Sequence, residues 1–330
     1  MENNLEFLEQ FKGKSVYEVN DADLDGVVSS MLCDFYIKPI ASKYVRYNTG
    51  DRKLPDFDWD IVNLNYDIVM FVDIAPYSLE MYNKIKEHCN IIILDHHESH
   101  KKLLGDLPNY FYTTEKCAAK ILFEEITRGT NPKKILAQFV QLTDCYDRYK
   151  IEDMTWRTAK GLNNLLYAYV DWKRANYQTD TEKHQRFIDA QLAKIDKSKE
   201  FYFTAWEREK ALAAEEKERK NYQQAKKSLK FRIDGQGNKY GYFECSSKVS
   251  WTASLLLREF SDIKYFVCHS TFLETYRHEL NGKLSLRSQK DFDVAVIAEK
   301  YSGGGHFSAA GMELPLEDFY KLREGKIHLI

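Results

Sequence analysis

Up to Lys150 the chain alternates short apolar runs with stretches of helical length. Ser15–Val19, Val45–Tyr47, Ile68–Ile74 and Ile91–Leu94 are brief, rich in β-branched residues and nearly continuous, whereas Val27–Ile37 has the length of a helix. Continuous apolar runs such as VMFVDI and NIIILD predict strands buried on both faces of a parallel sheet. The region therefore reads as α/β with a doubly wound sheet. Ligands of such sheets bind beyond the carboxyl ends of the strands, and the reading places Asp25, Asp73 and Asp95 there.

Between Thr181 and Leu229 there is no Gly or Pro, and Ile188, Leu192, Ile195, Tyr202 and Trp206 recur at helical spacing. The pairs Glu215–Arg219 and Glu216–Lys220 support an exposed helix. After the turn signal Asp234-Gly235-Gln236-Gly237-Asn238 the periodicity resets. A strand (Tyr240–Cys245), a helix (Ser250–Phe260), a strand (Lys264–His269), a strand pair around Asn281-Gly282, a helix (Val294–Tyr301) and a glycine loop are expected. The predicted organisation is a sheet domain over residues 1–155, a helical connector over 156–229 and a smaller α/β domain over 230–330.

Composition narrows the function classes. The 330 residues, 44% of them hydrophobic, are enough for two packed domains. Lys and Arg number 48 against 50 Asp and Glu, a net charge of -2, which excludes a broadly basic nucleic-acid coat but leaves room for a short, locally held oligonucleotide. The N-terminal MENNLEFLEQ has no signal-peptide pattern and no apolar run has the length of a membrane span. Six scattered cysteines form no metal or disulfide spacing, so a cytoplasmic chain with reduced thiols and no membrane association is expected.

The chemistry concentrates in acidic and imidazole clusters. Asp21-Ala22-Asp23-Leu24-Asp25-Gly26 places three carboxylates in one loop after a strand. Like charges at that density disfavour mutual ionisation unless a cation intervenes, although such aspartates also cap helices. Asp73 closes one apolar run, Asp95-His96-His97 closes another, and Asp144 follows a third. A mixed carboxylate and imidazole set suits Mn²⁺, or Mg²⁺ where oxygen predominates.

DADLDG, VDIAP, LDHHESH and LTDCYD, in that order, resemble the four motifs of the DHH phosphoesterase family. Ser285-Leu286-Arg287-Ser288, Gly303-Gly304-Gly305-His306 and Ala309-Ala310-Gly311 resemble its associated substrate domain, and the spelling is most similar to the oligoribonuclease (nanoRNase) branch. The resemblance implies two divalent metals, usually Mn²⁺, on Asp23, Asp25, Asp73, His96 and Asp144, with Asp73 bridging. It implies that His97 contacts the scissile phosphate, that Asp95 orients the histidines, and that Arg287, Ser288, Gly303, Gly304, Gly305 and His306 hold the substrate.

One departure is that Val19, Asn20 and Asp21 stand where many members have a histidine; Asp21 is expected to substitute as an oxygen ligand. Asp147 is expected to be structural. Tyr146, Tyr149, Phe272 and Tyr276 could stack on bases, although core packing is the commoner use of such residues.

The function implied is two-metal hydrolysis of short single-stranded RNA or DNA oligonucleotides to nucleoside monophosphates. Alternatives are a cyclic- or linear-dinucleotide phosphodiesterase, a pAp phosphatase and a RecJ-like single-strand DNA exonuclease. A nucleotide-binding protein with weak catalysis is the rival from another class. A homodimer is compatible with the sequence.

Overall fold

The structure, a computed structural model, describes residues 6–48, 66–169, 180–271 and 282–330. The chain divides into two compact units, Met1–Leu212 and Ala213–Ile330. Phe272 and Tyr276, and the first strand of the pair expected around Asn281-Gly282, lie outside the described residues.

In the first unit a one-turn helix α1 (Glu6–Glu9) leads into β1 (Ser15–Asn20), α2 (Leu24–Tyr36), β2 (Lys43–Asn48) and β3 (Ile68–Val72). Next come α3 (Leu79–Lys86), β4 (Asn90–Asp95), α4 (Glu98–Leu104), β5 (Tyr110–Tyr112), α5 (Ala118–Thr127), α6 (Lys134–Asp147), α7 (Trp156–Tyr169) and α8 (Asp180–Ile195). The strands pair in the order β2-β1-β3-β4-β5, every pair parallel. The expected doubly wound sheet is therefore present. Because the chain leaves β1 toward one edge and returns to β3 on the other side, the order reverses between β1 and β3, and the crevice of such a sheet opens there.

The continuous apolar runs have a direct cause. Tyr17, Val19, Val69, Phe71, Ile91 and Ile93 share one core cluster with Met81, Tyr82 and Ile85 of α3. The alternating Val16, Ile68, Met70, Ile92 and Leu94 are equally buried on the other face, which α2 and α5 cover. Each such side chain contributes roughly 1.5–3 kcal/mol by leaving water, so a strand buried on both faces is held twice over.

The stretch read as a connector is helical over Trp156–Tyr169, Asp180–Ile195 and Ala205–Ser228, with residues 196–204 non-helical between the last two. Helix α7 packs on α6, α8 packs on α2 and β2, and α9 (Ala205–Ser228) runs across the division between the units.

The second unit contains β6 (Lys230–Ile233), β7 (Lys239–Cys245), α10 (Val249–Glu259), β8 (Tyr265–Ser270), β9 (Lys283–Ser288), α11 (Ala295–Glu299), β10 (Gly304–His306), β11 (Ala309–Glu313) and α12 (Leu316–Glu324). Its sheet runs β10-β11-β9-β8-β7-β6, with only β7 and β8 parallel. The predicted turn closes the β6–β7 hairpin, Asp234 Oδ1 accepting from the backbone N–H groups of Gln236 and Asn238.

The glycine segment departs from expectation: Gly304–His306 is a short strand paired with β11 rather than an open loop. A Cβ at Gly303 would stand 2.2 Å from the Gly311 carbonyl oxygen, and one at Gly305 2.4 Å from that of Ala309. These two glycines serve the close approach of backbone strands. A Cβ at Gly304 would meet nothing within 4 Å.

Candidate metal centre

The loop after β1 is shaped by its own backbone. Asn20 Nδ2 donates to the carbonyls of Asp21 (2.9 Å) and Gly26 (3.0 Å), drawing the loop over the start of α2. A Cβ at Gly26 would stand 2.1 Å from the Asp21 carbonyl oxygen, so only glycine allows this approach. Asp23 caps α2, its Oδ1 accepting from the N–H groups of Asp25 and Gly26. The helix therefore begins three residues before the apolar stretch that announced it.

Asp73 follows β3 in the left-handed region, φ +62°, its N–H still bonded to the Leu94 carbonyl. A non-glycine residue there is uncommon, and the turn lifts the carboxylate off the strand end into the crevice. Asp21, Asp23 and Asp73 each offer an oxygen to one cluster in which all ligand atoms lie within 4.8 Å of one another.

A second cluster of the same kind joins Asp25, His96 and Asp147, and a third joins Asp73, His96 and His97. His96 Nε2 stands 3.2 Å from Asp73 Oδ1, 3.6 Å from Asp147 Oδ2 and 3.8 Å from Asp25 Oδ2. Asp73 and His96 thus link an all-oxygen triad to a mixed oxygen and nitrogen triad.

The electrostatics are those of a site short of positive charge. Burial, then the carboxylates of Asp25 and Asp23, push Asp73 well above the ordinary carboxylate range. Burial and Asp147 raise Asp25 to about 7; burial and Asp23 raise Asp147 to about 7. Asp25 is raised although both its oxygens accept 2.7 Å hydrogen bonds from Ala118 and Ala119, at the N-terminus of α5. Asp73 Oδ1 and Asp147 Oδ2 are buried and make no hydrogen bond. Buried orphan oxygens amid like charges fit divalent cations, and the donor set of hard oxygens with one imidazole fits Mn²⁺ or Mg²⁺.

Asp95, the last residue of β4, has its two oxygens divided between two histidines. Oδ1 accepts from His97 Nδ1 (2.7 Å) and from the His96 and His97 N–H groups; Oδ2 accepts from His100 Nδ1 (2.7 Å) and Tyr110 OH (3.2 Å). Burial works to raise its pKa, but the His100 and His97 bonds hold it well below the ordinary range. An ionised carboxylate accepts only, so His97 and His100 each donate to it through Nδ1. Burial opposes charge on His97, yet the Asp95 bond holds its pKa up to about 9, while burial lowers that of His96.

Asp144 is not brought to these clusters. Its Oδ1 accepts from the Cys117 N–H (3.1 Å), and Oδ2 from Lys120 Nζ (3.4 Å) and Lys150 Nζ. Although burial works the other way, those lysines and the Cys117 N–H hold it below the usual carboxylate range. Asp147, expected to be structural, stands in the cluster with Asp25 and His96. The two are one helical turn apart on α6: Asp144 meets Lys120, Lys150 and the Cys117 N–H, whereas Asp147 meets Asp25 and His96. His100 and Tyr110 were also missed: the histidine, three residues after His97, is the only sequence signal of the clamp on Asp95.

In the second unit Arg287 Nη2 donates to Ser250 Oγ (2.5 Å) and Nη1 to the Leu286 carbonyl (2.7 Å), while the buried Ser288 hydroxyl donates to the Phe292 carbonyl. Ala309 of β11 pairs with Arg287 on one side and His306 on the other, so these three residues form one row across the sheet.

With this geometry in view, residues 15–144 match the DHH family, N-terminal domain, and residues 240–326 match the DHHA1 domain. The chain is 22% identical over 315 residues to oligoribonuclease NrnB of Bacillus subtilis (strain 168), covering 91% of this chain and 73% of that protein. The pGpG-specific phosphodiesterase PggH of Vibrio cholerae is similar in fold, with a TM-score of 0.55 at 14% identity over 95% of this chain and 97% of that one. RecJ of Thermus thermophilus in complex with Mn²⁺ gives a TM-score of 0.53 at 14% identity, covering 98% of this chain and 54% of that one.

Proposed function

Starting from a chain that is a DHH-family phosphoesterase with a DHHA1 domain, we propose that it hydrolyses short single-stranded oligonucleotides to nucleoside monophosphates. The observation that carries this reading is the pair of linked triads, Asp21–Asp23–Asp73 and Asp25–His96–Asp147, with two buried oxygens lacking hydrogen bonds. Two divalent cations on them, Mn²⁺ or Mg²⁺, would polarise a phosphodiester and lower the pKa of an attacking water.

The protein's own groups do the rest. Asp73 and His96 fix the spacing of the two triads, and Asp147 takes the ligand position that the family resemblance gave to Asp144. Asp95 holds the His97 Nδ1 proton, which turns Nε2 toward an equatorial phosphate oxygen and keeps the ring cationic as negative charge develops. Arg287 and the His306 row are assigned to the substrate's phosphate, for which a planar guanidinium is suited. Ser288, whose hydroxyl is engaged with Phe292, is assigned to positioning Arg287 rather than to contact. The balanced net charge favours short substrates, since long strands need an extended basic track. Support for oligonucleotides as the substrate class comes from the similarity to NrnB.

The test is a Mn²⁺-dependent time course on end-labelled RNA and DNA of graded length, with pAp and linear and cyclic dinucleotides beside them. Stepwise release of monophosphates, fastest from the shortest strands, is expected. Turnover confined to pAp or a cyclic dinucleotide would overturn the oligonucleotide assignment.

A further inference from the structure

Helix α6 ends at Asp147 and reverses at once. The Tyr149 N–H bonds the Tyr146 carbonyl (3.0 Å) and the Lys150 N–H bonds the Cys145 carbonyl (2.9 Å), the two closing bonds of a Schellman cap. Tyr149 occupies the left-handed position of that cap, φ +49°. Glycine is the usual residue there because a Cβ crowds the following backbone, and a bulky aromatic at positive φ is a rare outlier. Burial does not explain the choice, since Tyr149 is 42% exposed.

The ring does have a firm backing. Its centroid lies 5.8 Å from that of Trp156 and 6.2 Å from that of Tyr146, and those two stack on each other at 5.6 Å with an interplanar angle of 12°. Trp156 is only 9% exposed, and its turn is pinned by Asp153, which accepts from the Thr155 N–H and hydroxyl at 2.7 Å. Chain geometry keeps Tyr149 within about 7 Å of Asp147, Cα to Cα. An exposed aromatic ring on an aromatic base thus belongs to the residue two positions after Asp147, which itself clusters with Asp25 and His96.

We propose that Tyr149 is a nucleobase-stacking platform, holding the base of the nucleotide whose phosphate is at the metal centre. The inference rests on the phosphodiesterase reading above. Every nucleobase has a π-face, so this contact adds grip without selecting sequence, as a non-specific oligonucleotide hydrolase requires. It also accounts for tyrosine where the backbone would close more easily on glycine.

The experiment compares kcat/KM for a dinucleotide with that for the same phosphodiester lacking its bases, in wild type, Tyr149→Phe and Tyr149→Gly. The ratio of the two is expected to fall roughly ten- to a hundredfold in Tyr149→Gly and to be retained in Tyr149→Phe. The Tm of Tyr149→Gly is expected at or above that of wild type, because the left-handed strain is relieved. An unchanged ratio in Tyr149→Gly overturns the stacking role while leaving the phosphodiesterase reading intact. Wild type that hydrolyses neither substrate overturns that reading and the inference with it.

Discussion

Two groups of buried acids sit along and just beyond β1, and the fold treats them in opposite ways. Upstream of Asn20, Glu18 accepts from Arg46 Nε (2.8 Å), Ser30 Oγ (2.6 Å) and Tyr44 OH. Arg46 Nη2 also bonds Asp34 Oδ1 (2.8 Å), and Gln185 bridges Arg46 and Asp34, giving each carboxylate a donor from the protein itself. Downstream of Asn20, the carboxylates of Asp23, Asp25, Asp73 and Asp147 face one another and His96. Burial alone does not separate the two groups; a counter-charge supplied by the protein does.

The sharpest way to break this contrast is at Asp73. Asp73→Asn should reduce hydrolysis roughly a thousandfold or more while leaving the metal-free Tm unchanged or raised, since it removes charge from a crowded buried site. Asp147→Asn should fall far below Asp144→Asn in steady-state turnover. The reverse order would return the ligand role to Asp144.

Arg46→Met attacks the other side of the comparison. It leaves Glu18 and Asp34 buried without their cation and should cost about 3–5 kcal/mol in urea unfolding, with turnover per folded molecule preserved. A loss under about 1 kcal/mol would mean that the two acid groups are not held differently after all.

Mn²⁺ at a hundred times its Kd should raise the unfolding free energy of wild type by about 2.7 kcal/mol and do nothing for Asp73→Asn. Thermal shifts with and without a chelator read this directly.

The smallest effect concerns Glu207 and Lys194, a buried pair at 2.6 Å. Burial works to raise the Glu207 pKa, but bonds from Lys194, the Thr204 N–H and Gln191 hold it below the usual range. A depressed folded-state pKa stabilises above the unfolded value of about 4.3 and loses that stabilisation as pH falls. The stability gap between wild type and Glu207→Gln should therefore narrow as pH is lowered through about 5 to 3.

What could be read in advance followed from local chemistry. Val16, Ile68, Ile92 and their neighbours announce β1, β3 and β4 because both faces of those strands are covered, and the strand-end aspartates follow from the same pattern. By contrast, β5 is three half-buried residues, too short for any period to show. Asp144 and Asp147 are equivalent to a reader of α6, because Lys120 and Lys150, which neutralise only the first, are placed by other segments. His100 reads as a surface residue of a short helix until β5 delivers Tyr110 to the same carboxylate. The glycine loop became strand β10 because Gly303 and Gly305 answer to the backbone of β11, which no local pattern reports.

The order β2-β1-β3-β4-β5 also sets a timetable. Strand β1 is the earliest of the five in the chain, yet both its partners follow it in sequence, and the cluster of Asp25 and His96 is complete only with Asp147 at the end of α6. Contacts this far apart in sequence cost loop-closure entropy before they are rewarded, and the expected outcome is that the cluster is completed after the folding transition state. The ion should then act on the lifetime of the folded molecule rather than on its birth: Mn²⁺ should slow unfolding in stopped-flow traces and leave the refolding rate where it was.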